Sequence, residues 1–270
     1  MIKIFFVFAP CMFLLSCNCK TNPKTKNQIT RVKEKKEFPV KIFNEDGKTV
    51  LTRFELPKGY VREKTQTNSF AYYLQHLPLK PHGAFVHHYD GNIKANVDAY
   101  CAVVDLPING NANHHCADAV MRLRAEYLFN QKRFNEIEFW YGNNGRLNYQ
   151  QFLAGKQPTA KNLWTYLEKV FAYAGTLSLE QQLKKKDLNL IEIGDVFIKG
   201  GSPGHVVIVV DKCVNEVGKI KFILAQSYMP AQDIQIIVGD DGKSPWYDLE
   251  FGNLLRTAEY DFTSEQLKCF

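Results

Sequence analysis

The sequence predicts an α+β domain in which helices pack on an antiparallel sheet. Three observations predict it. Apolar residues recur at helical spacing in the first half of the chain, β-branched runs take over after residue 191, and Gly, Asn and Pro turns separate those runs. A length of 270 residues with 45% apolar side chains is enough for a substantial core, which excludes a chain disordered throughout.

The chain opens Met1-Ile2-Lys3, continues with an apolar run from Ile4 to Leu15, and reaches Ser16-Cys17. A charged start, an apolar stretch short for a membrane span, and a small residue before the cut predict a secretory signal over residues 1–17. Leu14-Leu15-Ser16-Cys17 resembles the lipobox of bacterial lipoproteins, and that resemblance implies that Cys17 is acylated and becomes the mature N-terminus. Residues 18–49 are polar and Lys-rich and read as a flexible tether, with the domain over residues 50–270. Much of the net charge of +6 sits in that tether. Past residue 50 the charges are mixed and form no basic stripe, so nucleic acid is not an expected partner.

Within the domain, residues 54–60 read as an extended segment closed by a turn. Ser69 caps a helix through Leu77, whose inner face carries Phe70, Tyr73, Leu74 and Leu77. Tyr89-Asp90-Gly91-Asn92 is a hairpin turn, and the apolar run 99–106 fits a buried strand or a helix segment equally. After the polar turn 109–113 a long amphipathic helix begins at Cys116 and runs to Leu128. A second covers 161–174 and stops at Gly175. Strands follow at 194–198, 205–211 and 220–226, with 200–204 as a turn.

Unpaired N–H groups at a helix N-terminus favour a thiolate, so Cys116, in the first turn of its helix, is the candidate nucleophile with a lowered pKa. Acid–base work calls for a group titrating near neutrality, and His205 stands out among seven histidines because Gly204 and a tight turn deliver it to the mouth of a strand. If Asp211 faces Ile220 across the next hairpin, His205 stands opposite Gln226 on one face and the amide orients the ring; a shifted register offers Ser227 instead. Cys101, Cys116, Cys213 and Cys269 allow two disulfides in three pairings or none. His114-His115-Cys116 lacks a second ligand pair at zinc spacing, so no metal is expected. Trp140, Tyr141, Trp164 and Trp246 read as packing residues before they read as a groove.

A cysteine opening a helix, a Gly-His opening a strand and a polar residue on the next strand resemble the papain-like NlpC-type and CHAP-type amidases and peptidases, over residues 116–227. Gly194-Asp195-Val196-Phe197 ahead of Gly204-His205-Val206 looks like their Gly-Asp-hydrophobic and Gly-His pairing. Two departures stand out: the third residue in that superfamily is commonly His, Asn or an acid, and the interval from Cys116 to His205 holds an extra helix and an aromatic loop around Trp140. Residues 117–127, 194–211 and 225–233, with Ser244-Pro245-Trp246-Tyr247, resemble the family of Bacteroidota lipoproteins known as domain of unknown function 4846.

The likeness implies a papain-like fold and an envelope location. It also implies a cysteine amidase or peptidase, acting on peptidoglycan peptide or a related amide through Cys116, His205 and Gln226 without a cofactor. The membrane is reached through the lipid on Cys17. Two other expectations stand beside it: a non-catalytic envelope lipoprotein that binds glycan, peptide or a partner, and an acyltransferase using the same three residues.

Overall fold

One eleven-residue strand, His205–Asn215, organises the sheet. The computed structural model describes residues 42–142 and 145–270, so the predicted signal, Cys17 and the tether through residue 41 lie outside the described residues. Residues 42–49, read from the sequence as the end of the tether, belong to the domain. Phe43 is buried and bridges to Phe54, and Thr49 caps the helix α1 (Val50–Arg53).

In chain order the strands are β1 (Tyr60–Arg62), β2 (Tyr100–Val103), β3 (Glu138–Tyr141), β4 (Gly145–Asn148), β5 (Lys184–Lys185), β6 (Val196–Lys199), β7 (His205–Asn215), β8 (Ile220–Gln226), β9 (Gln235–Ile237), β10 (Trp246–Asp248), β11 (Leu255–Arg256), β12 (Asp261–Phe262) and β13 (Leu267–Cys269). Nine of them form one antiparallel sheet in the order β2-β9-β8-β7-β6-β13-β5, with β1 joined to β7 and β10 to β8. β3–β4 and β11–β12 are separate hairpins. The predicted α+β class with an antiparallel sheet is what the chain adopts, and the undecided run 99–106 supplies strand β2.

The remaining helices are α2 (Phe70–Gln75), α3 (Cys116–Asn130), α4 (Tyr149–Leu153), α5 (Ala160–Tyr173) and α6 (Thr176–Gln182). Ser69 caps α2 by accepting the Tyr72 N–H at 3.0 Å, as its sequence position predicts. α3 departs from its expected one-sided pattern: every residue from Ala117 to Leu123 is buried, Asp118 and Arg122 included. The reason is that α3 lies on β7 and β8 with α5 and α6 on its other sides, so it has no broad solvent face. Gly175 does not cap the end of α5 in a left-handed conformation; it is extended and starts α6, a helix the sequence reading missed.

β7 and β8 are joined by a tight turn at residues 216–218, which lets β7 run on to Asn215. Asp211 therefore faces Ile223, not Ile220, and the register shifts between Val209 and Asp211. This bulge puts Asp211 on the face of Val206 and Ile208, away from Val209, because one extra residue exchanges the two faces of a strand. There Asp211 is fully buried and accepts from Arg62 Nε and Gln75 Nε2, each at 2.7 Å, and from the Lys212 N–H at 2.9 Å. Burial pushes its carboxyl above the usual range, and Arg62 opposes that.

Removing one partner of such a pair strands the other. Arg62→Met is expected to lower stability by about 3 kcal/mol in urea unfolding, and the double change Arg62→Met/Asp211→Met by less. A double variant weaker than the single one would show that Asp211 does not depend on Arg62.

Candidate active site

Cys116 enters the site because α3 begins where β7 and β8 part. The pairing of the two strands reaches Ile208↔Ala225 and stops there, while β7 stays paired with β6 through Lys199↔His205. The chain ahead of α3 occupies the opening, where the His114 carbonyl oxygen accepts from Ser227 Oγ at 3.2 Å, and the Val206 N–H favours the thiolate of Cys116. The turn before it is set by Asn109 and Gly110, both at positive φ, and His115 caps the helix with its N–H donated to Asp118 Oδ2 at 2.9 Å.

His205 opens β7 directly after Gly204. A Cβ on Gly204 would lie 2.4 Å from both the Gly201 carbonyl oxygen and Thr176 Oγ1, so the close turn that delivers the histidine requires glycine there. The ring is 2% exposed and packs against Tyr228, Tyr260 and Phe262, with centroids 4.9, 5.2 and 6.0 Å away. Its Nε2 lies 2.7 Å from Gln226 Oε1. Continuing the observed register places Gln226 level with Val207 and diagonal to His205 on one face. The register read from the sequence was two residues out, and a slip of two keeps every side chain on its face, so the predicted contact survives. Ser227 points the other way: its buried hydroxyl donates to the carbonyl oxygens of His114 and Gln232, and it does not touch His205.

Cys116 and His205 line one cavity of about 520 Å³, together with Asp118, Phe171, Tyr228 and Tyr260. A larger cavity of about 740 Å³, walled by residues such as Asp98, Asp240 and Arg256, contains neither thiol nor imidazole. No disulfide joins Cys101, Cys116, Cys213 and Cys269. Trp140, Tyr141 and Trp164 are half-buried and Trp246 is buried, and none of the four lines the cavity with Cys116.

Two residues that the sequence did not single out complete the arrangement. Gln226 Nε2 donates to Glu259 Oε2 at 2.7 Å, and Lys94 Nζ donates to the same oxygen at 2.7 Å. A carboxylate only accepts, so Gln226 must turn its amide nitrogen to Glu259 and its oxygen to His205. His205 Nε2 then carries the proton, and Nδ1 is the nitrogen left with a lone pair. Glu259 lies 33 positions after Gln226 and Lys94 well before Cys116; neither belongs to a motif or a periodic face, so no local signal marks them.

The electrostatics overturn one expectation. The Cys116 thiol is not lowered by its helix position; burial and then the neighbouring Asp118 push it up to about 11, against the N–H groups of Val206, Ala117 and Cys116. Burial likewise pushes the Asp118 carboxyl up to about 8 and His205 down to about 4, with Gln226 and Glu259 opposing the fall. At neutral pH the two partners are thus a thiol and a neutral imidazole. His114 is also buried, edge-on to Phe171, and its pKa falls to about 3, which makes it a packing residue.

The class of protein these features define is an α+β domain with a thiol and an oriented imidazole on one cavity. The chain belongs to the family described as domain of unknown function (4846), whose profile matches residues 50–269. No curated protein and no solved structure matches it.

The unfolded chain takes up the histidine proton at the ordinary value of 6.5, the folded chain only at about 4. Between those values the unfolded state binds more protons at this position, so its contribution to stability is lost as pH falls, by about 3 kcal/mol at most. His205→Phe removes this contribution, and its urea midpoint is expected to fall less than that of the wild type from pH 6.5 to pH 4. Equal falls in both proteins would mean that His205 is not buried as a neutral base.

Proposed function

We propose that this protein is an exported, lipid-anchored cysteine amidase or peptidase of the bacterial cell envelope, built on a papain-like α+β domain. The observation that carries this reading is the shared cavity of Cys116 and His205, with Gln226 Oε1 on His205 Nε2 so that Nδ1 is the free base. Cys116 Sγ attacks the amide carbonyl carbon as its proton passes to His205 Nδ1. The Cys116 N–H, unpaired at the start of α3, donates to the developing oxyanion. Collapse breaks the C–N bond, the amine leaves with the proton from His205, and water deprotonated by the same nitrogen hydrolyses the thioester.

Two features support an uncharged group at the scissile bond. No Lys or Arg stands among the described residues lining the cavity, and its one carboxyl, Asp118, is 4% exposed. The amide of a cell-wall peptide, or a related amide, fits such a wall when its charged groups lie outside. The thiol pKa near 11 favours a second reading, a non-catalytic lipoprotein that binds the same class of ligand in the same cavity. Acyl transfer is the outcome if an amine, rather than water, takes up the acyl group.

Labelling at position 116 by a thiol-reactive amide, read by mass mapping of that peptide, and release of amines from peptidoglycan fragments are expected from the wild type and absent in Cys116→Ala. Equal signal from both would remove the mechanism and leave the binding reading. No helix among the described residues is long and apolar enough to cross a membrane, so the anchor assigned to Cys17 has its own test. Labelled palmitate is expected to enter the wild type but not Cys17→Ser, whose recovery should shift out of the membrane fraction. Membrane recovery unchanged by that substitution would exclude the lipid as the anchor.

A further inference from the structure

We infer that Glu259, held in place by Lys94, is a positioning residue that clamps the Gln226 amide and so decides which nitrogen of His205 carries the proton. The inference rests on reading His205 as the general base, but its structural half can be tested apart from that reading.

An amide is nearly symmetric in shape, and a half turn of its last torsion exchanges oxygen and nitrogen. Unclamped, Gln226 could present either atom to His205 Nε2. Its oxygen selects the ring form with the proton on Nε2 and a bare Nδ1; its nitrogen selects the reverse and puts the proton where the base is needed. Glu259 Oε2, 2.7 Å from Gln226 Nε2, removes the choice because it can only accept. The clamp is itself fixed. Lys94 Nζ lies 2.7 Å from Glu259 Oε2 and 3.0 Å from Gln232 Oε1, and 5.2 Å from the centre of the Tyr228 ring; Asn96 Nδ2 donates to Glu259 Oε1 at 3.4 Å.

The Lys94 and Glu259 side chains are only 5% and 10% exposed. An ion pair this buried adds little net stability over an apolar pair of the same size, so orientation of Gln226 is the account that explains why it stands here. Neither charge is hydrogen-bonded to Cys116; the hydrogen bonds from the Glu259 carboxylate toward the site run to Gln226 and on to His205.

The test uses the full chain with 15N-labelled histidine. Two-bond proton–nitrogen correlation reads the tautomer of His205, and iodoacetamide reads alkylation of Cys116. Lys94→Met/Glu259→Met removes both charges together and strands neither, while Glu259→Gln keeps an accepting oxygen. The wild type and Glu259→Gln are expected to show the Nε2–H form and similar alkylation. Lys94→Met/Glu259→Met should show both tautomers and alkylation slower by about tenfold or more.

Gln226→Met, which keeps the ion pair and deletes the amide, should also show both tautomers and serves if the double variant does not fold. A single Nε2–H form in either folded variant overturns the clamp. A changed tautomer with unchanged alkylation upholds the clamp and sinks the general-base reading instead.

Discussion

The constraint on which the site depends is that β7 is buried on both faces and still begins with a polar ring. α3 covers one face and the aromatic side chains Phe197, Phe222 and Phe262 cover the other, so Val206 to Val210 is a continuous β-branched run without exposure. Where β8 leaves β7 after Ala225, a backbone N–H at Val206 would be orphaned inside the protein, at the price of a lost hydrogen bond. The Cys116 thiol stands near it, and that N–H favours the thiolate. One opening in the sheet thus frees the Val206 N–H and admits the first turn of the helix that carries the thiol.

Burial also decides the charge state of the site. A helix N-terminus favours an anion by about 0.3–1 kcal/mol, up to about 2 in partly buried settings. Taking a charge out of water shifts pKa values by up to about 3–5 units. With Cys116 half-buried beside a second acid, Asp118, the second effect wins. The chemistry proposed here therefore starts from neutral partners and moves a proton during attack, as a hydroxyl nucleophile must, rather than from a standing thiolate–imidazolium pair. The same logic leaves the orientation of His205 more important than its basicity, because a neutral ring with its proton on the wrong nitrogen has nothing to offer the thiol.

The sequence made legible what depends on local pattern. Ser69 as a cap, Cys116 as the first residue of α3, His205 as the first of β7 and the bounds of β8 all follow from turn formers next to periodic runs. The contact of His205 with Gln226 was legible for a looser reason: alternation fixes the face of a strand even when the register is misjudged by two. What stayed hidden depends on three-dimensional context. The bulge at Val209–Asp211, the burial of α3 on nearly all sides and the partners Glu259 and Lys94 are set by neighbours far away in the chain. The raised thiol pKa belongs with these, since helix position is visible in a sequence and desolvation is not.

That distance has a physical origin. Once an imidazole is placed on a desolvated face, its Nε2–H needs an acceptor, and the acceptor's own spare hydrogens need one in turn. Gln226 passes the requirement to Glu259, Glu259 to Lys94, and Lys94 to Gln232, whose amide nitrogen finally donates to the carbonyl oxygen of Pro230 at 2.8 Å. The series closes only when it reaches a backbone acceptor. It accounts for the buried amides of Gln226 and Gln232. It also explains why a ring at the start of β7 draws on positions 94, 226, 232 and 259, which share no motif. A single buried titratable group has in this way specified the packing of three separate segments, and any substitution that leaves one member without its partner acts on the ring at the other end.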